Sequence, residues 1–429
     1  MKTFLQPLQN LAEMEEIQKQ AKKNRGILEI SGCMESQKAH LMYGLSGLFP
    51  CHLVIAADEK SAKELYEDYR FYDKRVYYYP AKDLLFFQAD IHGNLLIRQR
   101  MQVIRALLER EDEITVVTSI DGCMDYLVPL EKIEKQLIHF RNDSTLDMDK
   151  LTAALVHMGY ERVGQVEMPG QFSIRGGIID IYSLTEENPW RIELWGDEID
   201  SIRSFDAQSQ RSLENLDDVT IYPATEQPME KNGVSFLDYF KETETLFFLD
   251  ELNHLEENAK AVQEEFQQSC ENRKEKGEIS LSGDWMCTWE ELCHKINDRN
   301  CVAMSLLDPK KSNWKISGQF NITVKSMSSY QSSFELLVKD LKQYKKEGYQ
   351  IVLLSGSRTR AERLAKDLQE EGLNAFYGQD SDRILQPGEI MVAYGHARRG
   401  FEYPLVKFAV ITETDIFGKE QKKLAFSKN

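Results

Sequence analysis

The chain of 429 residues is longer than one hydrophobic core usually organises, so we expect several domains. Charged residues make up 29% of it, and no apolar run approaches the roughly 18 residues needed to cross a bilayer, which excludes a membrane helix. The net charge of −17 argues against duplex DNA as the main ligand, because proteins that neutralise phosphates normally present a basic surface.

Cysteine usage and the N-terminus indicate a reducing compartment. The seven cysteines are an odd number and form no C-x-x-C pair, so the sequence suggests neither a disulfide framework nor a zinc site. The first residues lack the pattern of a signal peptide. We therefore expect a cytoplasmic protein that holds no metal and no cofactor.

From Ile27 onward, short apolar strands alternate with helices. The strands are ILEIS, HLVIAA, VYYYP and ITVVTS, and the helices between them are AHLMYGLSGLF, SAKELYEDYRFY and LLIRQRMQVIRALLER. This alternation predicts βαβ crossovers and a parallel sheet. Residues 1–126 are therefore predicted to begin an α/β domain of the nucleotide-binding type.

A different pattern follows in residues 127–217. Asp147 and Asp149 precede a predicted helix, KLTAALVHMGY, and short strands with period-two alternation and glycine or proline breaks come after it. We predict that this segment is an α+β domain inserted into the first domain. Residues 218–325 return to helices and strands, including TLFFLDEL, and are predicted to complete the first α/β domain.

The last part of the chain, residues 326–429, predicts a third, small α/β domain. The segments FELLVKDLKQYKKEG and RTRAERLAKDLQEEG read as helices, and IVLLS, NAFYG, EIMVAYG and FAVITE read as strands. The lysine-rich end, KEQKKLAFSKN, looks like the start of a linker, so we expect a longer natural protein. The predicted fold class is a multidomain α/β protein with an inserted α+β domain.

The first predicted strand runs into a degenerate phosphate loop. Gly32 and Lys38 align with G-x-x-x-x-G-K-[ST], but Gln37 replaces the second glycine and Ala39 replaces the magnesium-binding hydroxyl. Gln37 disfavours the open backbone that cradles phosphate, and we expect Glu35 to direct a carboxylate to where phosphate charge would lie. Both changes oppose phosphoryl transfer electrostatically, so we expect no ATP turnover.

One pair of residues supports the opposite interpretation. Asp250 and Glu251 end the apolar strand TLFFLD in the manner of a Walker B motif, and together with Lys38 they would serve a weak ATPase. The alternative is that they are two carboxylates at the end of a strand. The broken loop favours this alternative, in which Asp250 and Glu251 are vestigial.

The segment 168–212 contains a candidate binding face. In the strand Arg191-Ile192-Glu193-Leu194-Trp195, alternation directs Ile192 and Leu194 to the core and leaves Trp195 beside Arg191 on the polar side. Exposed tryptophan and arginine are the residue types most enriched at interface hot spots.

The preceding segment, QFSIRGGIIDIY, predicts a hairpin that adds a second arginine to this face. Its two strands meet at the turn Gly176-Gly177, with Phe172 and Ile174 on one side and Arg175 on the other. The alternative is that these arginines pair only with the many carboxylates of the segment, and spacing alone does not decide between an interface and a solvated sheet face.

Three runs in this segment, PGQFSIRGGIIDIY, WRIELWGDEIDSIRSFD and QRS, resemble the signature of domain 2 in UvrB and in the bacterial transcription-repair coupling factors (Mfd). The broken phosphate loop is similar to that of Mfd and unlike the intact loop of UvrB. The segment from YYYPAKDLLFFQADI to the following helix is expected to be too short for the DNA-clamping β-hairpin of UvrB. The run RGFEYPLVKFAVITETDIFG is similar to the end of the third domain of Mfd.

This resemblance covers essentially the whole chain and implies a UvrB-like, degenerate RecA-type domain 1a (1–126), domain 2 (127–217), domain 1b (218–325) and domain 3 (326–429). It further implies a non-catalytic adaptor that binds the repair protein UvrA. By motif, the residues that bind UvrA are Arg175, Arg191 and Trp195, although the family commonly has Phe at the last position.

For the intact protein, the resemblance implies an ATP-dependent DNA translocase that displaces stalled RNA polymerase. Its contacts with RNA polymerase and DNA would be made by domains outside this chain, and another domain would mask the UvrA-binding face until the motor engages. The alternatives to the adaptor are the weak ATPase and a DNA-binding domain like that of UvrB.

Overall fold

The computed structural model describes residues 1–23, 25–82, 93–111, 113–226, 233–276, 286–307, 314–378 and 382–418. Its α-helices are α1 (Lys2–Gln9), α2 (Met14–Lys23), α3 (Glu35–Ser46), α4 (Glu59–Tyr69), α5 (Gly93–Leu108), α6 (Leu130–Glu134), α7 (Met148–His157), α8 (Leu252–Glu275), α9 (Trp289–Asn297), α10 (Phe334–Glu347), α11 (Arg358–Glu370) and α12 (Glu413–Phe417). Within these ranges, short 3-10 helices span Asp121–Cys123 and Phe236–Tyr239.

The strands are β1 (Gly26–Ser31), β2 (Cys51–Ala56), β3 (Val76–Tyr79), β4 (Ile114–Ser119), β5 (Tyr126–Leu127), β6 (Ile138–Arg141), β7 (Glu161–Arg162), β8 (Gln171–Arg175), β9 (Ile178–Ile181), β10 (Trp190–Trp195), β11 (Glu198–Phe205), β12 (Ser212–Leu216), β13 (Asp218–Ile221), β14 (Val234–Ser235), β15 (Thr245–Asp250), β16 (Asn300–Ser305), β17 (Ile316–Asn321), β18 (Lys325–Ser326), β19 (Gln350–Ser355), β20 (Asn374–Tyr377), β21 (Glu389–Tyr394), β22 (Phe401–Tyr403) and β23 (Phe408–Thr412). Three larger sheets organise them, and β13 with β6 and β14 with β5 form two small ones.

The first sheet has seven parallel strands in the order β17-β1-β16-β15-β2-β4-β3. Its inner strands are apolar and buried along nearly their whole length, because helices cover both faces of such a sheet. Strands β15 to β17 come after the insert in the chain and lie beside β1 and β2, so the insert interrupts one continuous sheet. The carboxyl ends of β1 and β15 meet at the same edge, next to residues 32–39.

The insert forms the second sheet, in the order β12-β11-β10-β9-β8-β7, with antiparallel neighbours except for β7 and β8. Its alternating apolar residues Phe172, Ile179, Ile192 and Ile202 are buried on one side of the sheet. Strands β8 and β9 are joined at Gly176, whose φ of +61° lies in the left-handed region that glycine adopts without strain. The opposite side of this sheet carries polar side chains.

The third sheet has the order β18-β22-β23-β19-β21-β20, and its four strands β23, β19, β21 and β20 are parallel. It packs on the first sheet through a shared apolar core that includes Phe4, Leu41, Phe401 and Phe408. An ion pair reinforces this contact: Arg398 Nε lies 3.0 Å from Asp68 Oδ2. The third sheet is therefore docked firmly on the first.

The structure confirms the predicted fold class, an α/β protein whose first sheet is interrupted by an α+β insert and which ends in a further α/β unit. The exact domain limits stay a prediction. The hydrophobic pattern of the sequence did not indicate α1, α2, β17 or β22. The segment predicted to be too short for a DNA-clamping hairpin includes residues 83–92, and the linker-like end begins at residue 419; these residues lie outside the described ones.

None of the helices in the described ranges is both long enough and apolar enough to cross a membrane.

Candidate functional site

The degenerate phosphate loop, residues 32–39, is short and tightly packed. Helix α3 begins at Glu35, so only three residues separate it from β1. Gly32 has a φ of +81°, and a Cβ atom there would lie 2.1 Å from the carbonyl oxygen of Ile322. The loop therefore rests directly on the chain that leaves β17.

The first three backbone amides of this loop have protein partners. Gly32 N donates to the carbonyl of Leu306 at 3.3 Å, and Cys33 N donates to that of Ser305 at 3.0 Å. Met34 N donates to the side-chain oxygen of Gln37 at 3.0 Å. An intact phosphate loop instead directs such amides at the ligand.

Gln37 and Ala39, the two departures from the motif, are both completely buried. The Gln37 amide nitrogen donates to the hydroxyl of Tyr403 at 2.9 Å, which ties the loop to the third sheet. Ala39 packs in the apolar core that the first and third sheets share and brings no hydroxyl to the site. Glu35, which was expected to face the phosphate position, has a side chain that is 59% exposed and lies 3.8 Å from Arg399, so its place relative to a phosphate stays a prediction.

Lys38 binds both residues of the predicted Walker B pair. Its Nζ lies 2.6 Å from Asp250 Oδ1 and 2.6 Å from Glu251 Oε1, and its side chain is 8% exposed. Burial alone would lower the pKa of Lys38, but the charges of Asp250 and Glu251 outweigh burial and raise it. Burial raises the pKa of Asp250 although the charge of Lys38 opposes the rise. The negative charge of Glu251 adds to the rise.

Glu251 holds further parts of this arrangement in place. Its Oε1 accepts a hydrogen bond from Leu306 N at 3.0 Å, and its own N donates to the Met304 carbonyl at 3.0 Å. Its backbone is left-handed, with a φ of 54°, which a non-glycine residue adopts only when its surroundings enforce it. The structure thus brings Lys38, Asp250 and Glu251 together, as the motif predicts, in a cluster of mutually bonded charges.

The second candidate site lies on the polar side of the second sheet. We call it the polar face and define it by Arg175, Asp180, Arg191 and Trp195. Trp195, at the end of β10, is 83% exposed, as alternation predicts. Arg175, at the end of β8, has a side chain that is 48% exposed.

Arg191 is much less accessible than the sequence suggested, since its side chain is only 15% exposed. Its Nε lies 2.7 Å from Asp180 Oδ1 and its Nη2 lies 2.9 Å from Asp180 Oδ2. The guanidinium also stacks 4.4 Å above the centre of the Phe205 ring, and Nη2 donates to Gln210 Oε1 at 3.1 Å. The hydrogen bond to Asp180, partly offset by burial, raises the pKa of Arg191.

The sequence left open the alternative that these arginines pair with nearby carboxylates, and such pairs are present on the polar face. Arg175 and Arg191 both pair with Asp180, and Arg203 pairs with Glu193. The sequence interpretation missed Asp180, Phe205 and Gln210. The alternation of IIDI is the sequence signal that could have placed Asp180 on the same sheet side as Arg191. The contact between them depends on the register of β9 with β10.

Among the described residues, no group of His, Cys, Asp and Glu side chains has an arrangement that would hold a metal ion. The seven cysteines are all free thiols, and six of them are buried. Burial raises the pKa of the buried thiols at positions 33, 123, 287, 293 and 301 and also that of the partly buried Cys51.

Comparison with known proteins assigns the insert to a family. Residues 138–226 match the UvrB interaction domain. The transcription-repair-coupling factor of Bacillus subtilis (strain 168) is 29% identical over 92% of this chain and 39% of its own length. Those of Staphylococcus haemolyticus (strain JCSC1435) and Staphylococcus aureus (strain MRSA252) are 26% and 25% identical over 81% and 82% of the chain and 34% of each relative.

The resemblance drawn from the sequence is thus confirmed: the chain is related to the N-terminal region of transcription-repair coupling factors. It spans about two fifths or less of the length of the relatives it matches.

Proposed function

We propose that this chain is the recruiting part of a transcription-repair coupling factor, and that the polar face binds UvrA. The observation that carries the proposal is the 83% exposure of Trp195 on the same sheet side as Arg175, which a buried carboxylate holds in place. A tryptophan left in water adds nothing to folding, and it contributes a large apolar area when a partner covers it. Its position in the UvrB interaction domain supports a protein partner from excision repair.

The chemistry of the polar face defines what UvrA must present. An indole needs an apolar pocket, and the exposed guanidinium of Arg175 needs a carboxylate, with which arginine forms short, strong hydrogen bonds. Hot spots typically combine such an anchor with a fixed charge at the centre of a patch. We therefore expect the UvrA surface to carry an apolar depression with Asp or Glu beside it.

We propose that the phosphate loop contributes no catalysis. Its first three amides, those of residues 32–34, are bonded to protein, its lysine is bonded to Asp250 and Glu251, and Ala39 supplies no magnesium ligand. Phosphoryl transfer depends on positioned cations and donors that face the phosphates. The same contacts argue against the weak ATPase, and the net charge of −17 argues against DNA binding like that of UvrB.

For the intact protein, we propose an ATP-dependent translocase of the cytoplasm that displaces lesion-stalled RNA polymerase. Its contacts with RNA polymerase and DNA would come from the part of the relatives that this chain does not span. The role of this region is then to bring UvrA to the lesion.

The proposal is tested by measuring UvrA affinity with Trp195→Ala. We expect a loss of about 2 kcal/mol, or about thirtyfold in Kd, as for other hot-spot aromatics. The thermal midpoint should not change, since the side chain is exposed. Leu405→Ala is the matched control, because Leu405 is a 71% exposed apolar residue of the third sheet region. Wild-type affinity in both Trp195→Ala and Arg175→Ala would rule out this face.

A further inference from the structure

Asp180 lies at the centre of the polar face and is the least accessible of its residues. It occupies β9, where it stands opposite Ser173 of β8 and Arg191 of β10. Its side chain is 0% exposed although it belongs to a polar sheet side. A carboxylate is rarely buried so completely unless cations and hydrogen bonds compensate for the lost water.

Two arginines from different strands provide that compensation. Arg175 Nη2 donates to Asp180 Oδ2 at 2.7 Å. Arg191 donates from Nε to Oδ1 at 2.7 Å and from Nη2 to Oδ2 at 2.9 Å. One oxygen of Asp180 thus receives both guanidinium groups, and the three side chains form one unit.

The two arginines differ in what they leave for a partner. A guanidinium has five N–H donors. Arg191 uses Nε and Nη2 within the protein, and its side chain is 15% exposed. Arg175 has one hydrogen bond to Asp180, and its side chain is 48% exposed. Arg175 therefore presents donors outward, whereas Arg191 fixes the carboxylate that holds it.

Arg175 and Trp195 lie at the same end of the polar face. Arg175 of β8 and Glu193 of β10 both stand opposite Ile178 of β9, and Trp195 follows Glu193 by two residues. An arginine that is free in solution loses side-chain entropy when a partner immobilises it. One that is already tethered loses less, so tethering raises affinity without adding a contact.

We propose that Asp180 is a positioning residue that presents Arg175, on the same face as Trp195, to an acidic site on the partner, and that Arg191 acts through Asp180. This inference rests on the proposed function of the polar face. It reassigns Arg191 from a direct contact to a support, and it leaves Arg175 and Trp195 as the residues that touch the partner.

The test is a double-mutant cycle on UvrA affinity. Asp180→Asn keeps the shape of the side chain and removes the charge that holds both arginines. We expect Asp180→Asn and Arg175→Ala each to weaken binding about tenfold, and the double variant to bind no more weakly than Arg175→Ala alone. Asp180→Asn combined with Trp195→Ala should instead multiply the two separate losses, because the indole is held independently of the carboxylate.

The outcomes separate this inference from the proposed function. Wild-type affinity in Asp180→Asn, with Trp195→Ala still weak, overturns the positioning role alone. The positioning role is also overturned if Asp180→Asn multiplies with Arg175→Ala as it does with Trp195→Ala, since that is the result of general damage to the sheet. If neither Trp195→Ala nor Arg175→Ala weakens binding, the proposed function itself fails.

A second variant guards against loss of the fold. If Asp180→Asn lowers the thermal midpoint of the insert, Asp180→Asn with Arg191→Met removes both buried charges together, and such replacements are often neutral for stability. This variant should show the affinity of Arg175→Ala. Wild-type affinity in it would also overturn the positioning role.

Discussion

The phosphate loop and the polar face both place buried carboxylates against cationic side chains, and they use them in opposite ways. At the loop, one lysine serves two carboxylates, Asp250 and Glu251, so the cluster carries one net negative charge when both are ionised. At the polar face, one carboxylate serves two arginines, so the cluster carries one net positive charge. The first arrangement repels phosphate, and the second attracts a carboxylate.

The cationic side chains of the two clusters also differ in their exposure to solvent. Lys38 is enclosed and its ammonium is bonded to two carboxylates, whereas Arg175 keeps about half of its side chain in water. A closed cluster stabilises the fold, and an open one remains available to a partner. The comparison therefore predicts that mutations at the loop change stability and mutations at the polar face change binding.

The largest expected effect tests this division directly. Lys38→Ala leaves two buried carboxylates without their cation, and breaking a buried pair in this way costs about 3–5 kcal/mol. Arg175→Ala, the matched change at the polar face, should cost less than about 1 kcal/mol, since its side chain is half exposed and Arg191 still neutralises Asp180. Urea unfolding followed by circular dichroism measures both. Equal losses would mean that the two clusters do not differ in the way described.

A second prediction concerns pH and the helix that follows the loop. His40 of α3 is buried: its Nε2 lies 2.7 Å from the Phe4 carbonyl and its Nδ1 lies 3.2 Å from the Tyr403 hydroxyl. This geometry fits a neutral ring that donates to Phe4 and accepts from Tyr403. Burial lowers the pKa of His40 from 6.5 to about 4, although the hydrogen bond to Phe4 opposes the shift.

The sign of the pH effect follows from the lowered pKa. Between pH 6.5 and about 4 the unfolded chain binds a proton at His40 and the folded chain does not, so stability falls as the pH falls through this range. The whole effect is about 3 kcal/mol. His40→Gln should remove this loss of stability. Urea unfolding of both proteins at pH 7 and at pH 4.5 measures the His40 contribution, because the other titrating groups are the same in the two proteins. An unchanged pH dependence in His40→Gln would show that His40 is not the source.

The sequence predicted what depends on local pattern. Alternation along β10 gave the exposure of Trp195, and motif spacing brought Lys38 to Asp250 and Glu251, because strands β1 and β15 end at the same sheet edge. The alternation of short apolar runs with helices likewise predicted the parallel sheets, because each run is long enough for one buried strand and each helix joins two strands.

What escaped prediction depends on register and on distant contacts. Asp180 meets Arg191 only because β9 and β10 pair in one particular register, which a single sequence does not specify. The bond from Gln37 to Tyr403 joins residues 366 positions apart. The ion pair of Glu35 with Arg399 likewise joins residues that are far apart in the chain.

The smallest expected effect is on nucleotide binding. A ligand at a hundred times its Kd stabilises a protein by about 2.7 kcal/mol, so millimolar ATP with magnesium that leaves the thermal midpoint unchanged excludes micromolar binding. We expect no change, and none after Gln37→Gly with Ala39→Thr, which restores the written motif. Restoring the letters leaves Gly32 and Cys33 bonded to Leu306 and Ser305, and the lysine bonded to its two carboxylates. A raised midpoint in the restored variant alone would mean that Gln37 and Ala39, and not the bonded charges of Lys38, keep nucleotide out. A raised midpoint in the wild type would support the weak ATPase.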